Sequence, residues 1–241
     1  MNHRTLIAIA TYNEMENLPR LVDEIFTVCP EADLLIVDDN SPDGTGQWCD
    51  EKAAQDTRLR CLHREGKLGL GTAAIAGFAY AIENDYDVLV NLDADFSHHP
   101  RYLPQLLGRY ASEEPVDVVI GSRYTKGGGV KGWPLSRRMM SRCVNLYGRC
   151  LLGLPVNDIS GSFRCYRVDL LRKLDLKQIH SRGYSFYEEI LWRLKRVGAR
   201  FAEVPIEFVD REFGQSKINS REAVAALLIL FRLGVKNWLR F

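Results

Sequence analysis

Residues 88 to 100 read VLVNLDADFSHHP, an apolar run of strand length that ends in two carboxylates spaced two positions apart. Asp93 and Asp95, around the small Ala94, would offer hard oxygen ligands at the carboxyl end of a strand, where open α/β sheets bind their ligands. The pattern repeats upstream, where Leu34 to Val37 runs into Asp38, Asp39, Asn40, Ser41, Pro42, Asp43, Gly44 and Thr45. Two acidic strand ends in one sheet point to a polyanion carried by a divalent cation.

Other chemistries fit parts of this pattern. Solvated surface acids are the plainer account of Asp93 and Asp95, and the buried run before them argues against it. A phosphatase of the haloacid-dehalogenase type also begins with D-x-D after an apolar strand, but it needs a later Gly-Asp pair, and the chain has none. His98 and His99 precede a proline and read as a turn outside the site.

Thr11-Tyr12-Asn13-Glu14 closes the first apolar run. On neighbouring strand ends Glu14 and Asp39 would share one edge and accept hydrogen bonds from a base and a ribose. Gly69, Gly71 and Ala74 match G-x-G-x-x-A, yet they follow the third strand and sit behind the polar insert Arg64 to Lys67, so a nicotinamide cofactor is disfavoured. That stretch still offers Lys67 and backbone N–H groups to an anion at a helix start.

The elements needed to position these groups are legible from periodicity. Strands at 5–10, 34–38, 58–63 and 87–92 alternate with helices at 17–28, 44–56 and 71–84, which predicts a parallel, doubly wound sheet. A helix to Tyr110, a strand at 116–120, a mobile loop at Gly127-Gly128-Gly129, a helix at 136–152, a strand at 163–167, a helix at 187–197 and one strand at 201–209 follow. The chain ends in a polar loop and a helix at 221–240. We expect one catalytic domain over 1–220 and a C-terminal amphipathic helix over 221–241.

Bulk composition narrows the function further. The 241 residues carry a net charge of only +1, so no global field argues for nucleic acid. The charge is uneven, however: between Asp117 and Asp158 there is no acidic residue, while Arg123, Lys126, Lys131, Arg137, Arg138, Arg142 and Arg149 all lie there. That stretch should attract phosphate, although a merely solvated basic face would look the same. Arg137 and Ser141 are four apart and share a helix face; Arg211 and Lys217 fall together in a later loop.

Six cysteines without a C-x-x-C pair fit reduced thiols, and the N-terminus lacks the apolar core of a signal peptide, so a cytoplasmic location is expected. The final helix has a nine-residue apolar run from Ala223 to Phe231, too short to cross a bilayer, followed by Arg232, Lys236 and Arg240. It can lie on a membrane surface with Trp238 and Phe241 at the interface, or serve as a core helix with a wet basic stripe.

Taken in order, ATYNEMENL, IVDDNSPDGT, GLGTA, LDADFSHHP, GSRYTKGG, DISGSFR and FVDREFGQSK resemble the polyprenyl-phosphate (dolichol-phosphate) mannosyltransferases, of the catalytic-subunit type without transmembrane helices. The resemblance spans nearly the whole chain. It implies a GT-A fold, the Rossmann-like fold of nucleotide-diphospho-sugar transferases, with a mostly parallel central sheet. It also implies an inverting glycosyltransferase that moves mannose from GDP-mannose to a polyprenyl monophosphate in a membrane, with a small membrane-anchoring subunit as a further possible partner. Under this resemblance Ala10, Tyr12, Glu14, Val37 and Asp39 hold the guanosine, and Asp93, Ala94 and Asp95 meet the ribose and diphosphate. Mg²⁺ or Mn²⁺ sits on Asp93, Asp95 and Ser97, and Arg123, Arg137, Ser141, Arg211 and Lys217 receive phosphates.

Two positions depart from the family's pattern. Ala10 replaces its usual Pro, and Ser97 stands where some members place a Gln on the metal. A sister enzyme using UDP-glucose and a non-catalytic nucleotide-sugar-binding module are the alternatives; a processive polysaccharide synthase lacks support because Q-x-x-R-W is absent.

Overall fold

The computed structural model describes residues 3–179, 181, 183, 185–210 and 220–239, with backbone alone for 220–226. Its elements are β1 (Thr5–Thr11), α1 (Leu18–Val28), β2 (Asp33–Asp38), α2 (Thr45–Gln55), β3 (Leu59–His63), α3 (Leu70–Glu83), β4 (Val88–Asp93), α4 (Leu103–Tyr110), β5 (Val118–Ser122), β6 (Gly129–Lys131), α5 (Leu135–Leu152), β7 (Arg164–Arg167), α6 (Val168–Leu171), α7 (Phe186–Arg196), β8 (Phe201–Pro205), β9 (Glu207–Val209) and α8 (Ser220–Trp238).

The main sheet runs β3-β2-β1-β4-β7-β5-β8. Alternate side chains of each strand enter opposite cores, which is why the strands read as continuous apolar runs. Ile7, Ile9, Leu34, Ile36, Val88 and Val90 pack with α1 and α4, whereas Leu6, Ala8, Leu35, Val37 and Leu89 pack with Phe78 of α3 and with Tyr166 and Phe186. Each fully buried Leu or Ile contributes about 1.5–3 kcal/mol of burial.

Winding reverses between β1 and β4, because β2 lies on one side of β1 and β4 on the other. A crevice must open at the carboxyl ends there. The register puts Ala10 beside both Val37 and Asp93, and Thr11 beside Asp38.

The sheet is mostly parallel, as expected, with one exception: β7 runs antiparallel to both β4 and β5, since the chain returns through α5 and enters the sheet from the opposite end. Two other expectations are corrected. The Gly127–Gly129 stretch is not a mobile loop, because Gly129 begins β6, which pairs with β9, and Gly128 donates its N–H to Thr125 at 2.9 Å. A Cβ on Gly128 would lie 2.4 Å from the Ser122 carbonyl oxygen, so backbone passes over backbone here. The single strand expected at 201–209 is two: β8 joins the main sheet and β9 leaves it to pair with β6.

The last helix is docked rather than separate. Leu230 and Leu233 are buried, Gly234 lies against Leu151 of α5, and Asn237 accepts from the Trp192 indole at 3.2 Å while donating to the Leu151 carbonyl. Among the described residues no helix is long and apolar enough to cross a membrane.

Candidate active site

The TYNE turn is fixed by the SPDGT turn beside it. Asn13 N donates to the Ser41 hydroxyl, Glu14 N to Thr45 Oγ1 and Met15 N to Asp43 Oδ2, at 3.0 to 3.2 Å. Burial opposes ionisation of Asp43, yet the Thr45 hydroxyl and the N–H groups of Met15 and Thr45 hold its carboxyl below the usual range. Asp38 is structural as well: it accepts from Thr11 Oγ1 at 2.8 Å and from the Ser41 amide and hydroxyl. Of the two adjacent acids, Asp39 is therefore the one left to face the crevice.

Asp39 meets a partner that motif reading missed. Arg64 Nη1 lies 3.2 Å from its carboxylate and both side chains are buried. Burial raises the Asp39 pKa and the Arg64 charge opposes that rise. Arg64 also donates to Thr72 on α3 at 2.7 Å, tying the third strand end to the helix that follows it. Lys67 stands 4.8 Å over the Tyr12 ring, so two expected donor-site residues from distant segments face each other.

Gly69 serves the backbone conformation and Gly71 the packing. Gly69 has φ 102°, and a Cβ on Gly71 would meet the Ser181 carbonyl oxygen and Phe186 Cβ, each at 2.8 Å. Gly71→Ala should therefore destabilise the chain by about 1–3 kcal/mol in a denaturant titration, the usual cost of overpacking. No loss of a cofactor should accompany it.

Ala10, Val37 and Asp93 line one small cleft together with Leu70, Asn91 and Tyr187. Beyond β4 the chain turns sharply, with Phe96 at φ 58°, a conformation unusual for an aromatic residue and worth about 1–3 kcal/mol of strain. That turn aims the short segment back on itself: Ser97 N donates to Asp95 Oδ1 at 3.1 Å, and Asp95, Ser97 and Ala94 are all buried. The Ser97 hydroxyl is buried without a hydrogen-bond partner. With the Asp95 carboxylate that its own amide meets, and Asp93 at the strand end, this hydroxyl completes a set of oxygen donors whose types suit Mg²⁺ or Mn²⁺.

The expectation that His98 lies outside the site is corrected. Its ring is buried between Phe163 and Phe208, and Nδ1 lies 3.2 Å from Asp93 Oδ2. The adjacent His99 points away, toward Glu24 at 3.6 Å. The backward turn at Phe96 separates the two imidazoles, and no residue-type rule would have placed it there.

Arg123 is not available to a phosphate. It is buried, with Nε and Nη2 on the two oxygens of the fully buried Asp158 at 2.7 and 2.6 Å, and Nη2 also reaches Ser160 at 2.8 Å. Burial disfavours the charge, but Asp158 overrides it and holds Arg123 above its ordinary value, while Arg123 holds the Asp158 carboxyl below the usual range. The pair positions the DISGS loop. From that loop Ser162 donates to Asp93 Oδ2 at 2.7 Å, and Ser160 accepts from Asn145 of α5 at 3.1 Å.

The N-terminal half of α5 presents Arg137 and Ser141 beside this loop. Arg137 lies 4.0 Å over the Trp133 ring and pairs with Asp210 at 3.2 Å; Ser141 accepts from the Tyr124 hydroxyl at 2.6 Å. Arg211 and Lys217 lie outside the described residues.

Behind the site Glu188 is buried with one carboxylate oxygen unpartnered, and burial raises its pKa to about 7 from an ordinary 4.5. The unfolded chain thus releases this proton near pH 4.5 and the folded chain only near 7, so stability falls as pH rises through that window. Glu188→Gln should be more stable than the native chain at pH 8 and no more stable at pH 4, as followed by thermal unfolding.

An open α/β sheet with an acidic switch-point edge, a strained D-x-D turn and a basic helix at its lip is the frame of a glycosyltransferase. The chain matches the model of glycosyl transferase family 2 over residues 6–175 and belongs to that family; within it, the chain belongs to the polyprenyl-phosphate mannosyltransferases. It is 47% identical over 232 residues to an undecaprenyl-phosphate mannosyltransferase of Micrococcus luteus, covering 96% of this chain and 94% of that one. It is 43% identical over 235 residues to a polyprenol monophosphomannose synthase of Mycolicibacterium smegmatis, covering 97% and 88%.

Solved structures share the fold at lower identity. A Mycobacterium tuberculosis glucosyl-3-phosphoglycerate synthase, in complex with Mn²⁺, UDP and glucosyl-3-phosphoglycerate, superposes with a TM-score of 0.68 at 21% identity over 96% of this chain and 81% of that one. A mannosyltransferase of Pyrobaculum calidifontis, in complex with GDP-Man and Mn²⁺, gives a TM-score of 0.63 at 16% identity over 100% and 65%. The GT-A fold and the glycosyltransferase class expected from the sequence are borne out.

Proposed function

We propose that this chain transfers mannose from GDP-mannose to a polyprenyl monophosphate, giving a polyprenyl-phosphate β-mannose and GDP with inversion. The observation that carries this is the convergence, at the β1/β4 crevice, of Ala10, Val37 and Asp93, with Asp95 and Ser97 just beyond the strand and Arg137 and Ser141 on the adjoining helix. The relatives named for undecaprenyl phosphate and for polyprenol phosphomannose support the acceptor and the sugar.

The acceptor phosphate is already anionic at neutral pH, its second pKa being about 6, so its oxygen can attack the sugar carbon without a general base. The carbon–oxygen bond to GDP breaks as the new one forms, and the leaving diphosphate needs its charge offset. Mg²⁺ or Mn²⁺ held by Asp93, Asp95 and Ser97 would supply that charge when bound. Tyr12, Glu14, Asp39 and Lys67 bind and orient the nucleoside, with Arg64 fixing Asp39. Arg137 and Ser141 steer the incoming phosphate, and Arg123 acts by positioning the loop that carries Ser162.

The acceptor's lipid fits the outer surface of the same helix. Arg137, Ser141, Asn145, Gly148 and Leu152 occupy one side of α5, while Leu135, Met139, Cys143, Leu146 and Cys150 line the other and are exposed, Leu135 at 72%. On α8 Leu228, Phe231 and Trp238 are likewise exposed, with Arg232 nearby. An apolar stripe bordered by arginines suits an anionic bilayer surface, where each basic side chain adds about 1 kcal/mol. Met139→Asp with Met140→Asp should cut co-flotation with anionic vesicles about tenfold while leaving GDP binding unchanged; equal flotation of variant and native chain would remove α5 from the interface, and failure of the native chain alone to float would assign attachment to a separate anchoring subunit.

A donor panel tests the reading. GDP-mannose, UDP-glucose and UDP-galactose are offered with a polyprenyl phosphate, and the anomeric configuration of the extracted lipid is read by NMR. A β-mannosyl product supports it; transfer from a UDP-sugar alone identifies the sister enzyme, and nucleotide binding without any transfer identifies a binding module.

A further inference from the structure

A second cluster of reactive groups lies on the α2 face of the edge strand β3. Cys61 Sγ is 3.9 Å from His63 Nδ1, and the other ring nitrogen of His63 is 2.8 Å from Asp50 Oδ1. Cys49, fully buried on α2, belongs to the core cluster against which Cys61 packs. The imidazole is held in place by close approach of the helix, since a Cβ on Gly46 would lie 3.3 Å from its Cε1 and Nδ1. Cys61 itself is partly open to solvent.

These three ligand-type side chains could hold a metal, their donor atoms lying within 4.8 Å of one another. The imidazole, however, turns one nitrogen to the sulfur and the other to the carboxylate, which suits a proton relay better than a shared cation. We propose that Cys61 is a reactive thiol, the site at which this chain is modified by hydroperoxides and other soft electrophiles, with Cys49 as its resolving partner.

The electrostatics agree with the geometry. The Cys49 hydrogen bond, and then the His63 charge, pull the Cys61 thiol below its ordinary range; Asp50 raises His63. The Cys61 sulfur and then burial hold the Cys49 thiol above its ordinary range, so Cys49 stays protonated beside the Cys61 thiolate. In the first step the Cys61 thiolate attacks the terminal oxygen of the hydroperoxide: an S–O bond forms, the O–O bond breaks, and the alcohol or water leaves with a proton from His63. The sulfur is oxidised by two electrons and the peroxide reduced. In the second, Cys49 attacks the Cys61 sulfur, the S–O bond breaks, an S–S bond forms, and the hydroxyl leaves as water with the Cys49 proton.

The cysteines Cys143 and Cys150 are exposed and provide an internal standard. The reduced full-length chain is treated at pH 7 with limiting iodoacetamide, and each cysteine is followed by peptide mass spectrometry. Cys61 should be alkylated about tenfold faster than Cys143 and Cys150 despite lower exposure, and His63→Ala should erase that lead. With hydrogen peroxide a Cys49–Cys61 cross-link should appear, and in Cys49→Ser a dimedone adduct should collect on Cys61. Labelling of Cys143 or Cys150 as fast as Cys61 in the native chain would overturn the proposal, as would an unchanged Cys61 rate in His63→Ala. A dimedone adduct on Cys61 of the native chain without any cross-link would overturn the role given to Cys49.

Discussion

Asp95→Ala is expected to lower the rate of mannosyl transfer by about 10²–10³-fold, the scale seen when one group that stabilises developing charge is removed. Asp95 is buried, accepts from Ser97 N at 3.1 Å, and follows a strand whose last residue, Asp93, is already engaged by Ser162 and approached by His98. Its loss would remove one ligand from the cation whose charge offsets the leaving diphosphate, while leaving the nucleoside side of the crevice, Asp39 with Arg64, intact. The fall should therefore appear mainly in kcat, with GDP affinity in the absence of metal little changed. Asp95→Asn should recover part of the loss, because the amide oxygen keeps a neutral ligand at the same place. A variant with native kcat would show that the D-x-D turn plays no part in the chemistry.

Asp158→Ala should act on folding as much as on activity. The carboxylate is fully buried, chelates Arg123 through both oxygens, and accepts from the amides of Arg123 and Gly161 at 3.0 and 3.1 Å. Removing it leaves a guanidinium buried without its counter-charge, for which about 3–5 kcal/mol of destabilisation is expected. Because the loop also carries Ser160 and Ser162, its displacement would release Asp93 and the Asn145 contact of α5 together. The double variant Asp158→Leu, Arg123→Met should regain much of the stability, since an apolar pair of similar volume avoids the desolvation cost, yet it should not regain activity. Equilibrium denaturation beside the transfer assay separates the two effects.

The sequence made the frame of this molecule legible and left its internal wiring obscure. Strands such as Leu34 to Val37 and Val88 to Leu92 could be read because both faces of a parallel strand are buried, so the apolar run is uninterrupted. The acidic strand ends followed from the same runs, and with them the crevice. What periodicity could not show was direction or partner. The antiparallel entry of β7 depends on where α5 returns the chain, and the split of β8 from β9 depends on the pairing of Gly129 to Lys131 with Glu207 to Val209, a contact between segments about 80 residues apart.

Charged residues were misread for a related reason. Arg123 and Arg137 look alike in a basic stretch with no acid between Asp117 and Asp158, but one is buried on Asp158 and the other lies half-buried against Trp133 and Asp210. Only the three-dimensional position of the DISGS loop distinguishes them. His98 was read as a turn residue and Arg64 as part of a polar insert, because their value comes from burial against Asp93 and Asp39 rather than from spacing.

Crystals of this chain grown with Mn²⁺ and GDP would test the central claim most directly, through the anomalous scattering of manganese. The account predicts a peak bound by Asp95 and Asp93, with the nucleoside laid along Ala10 and Val37 toward Asp39, and Arg137 across the gap from the diphosphate. Manganese elsewhere, with GDP bound and Asp95 bare of metal, would contradict it.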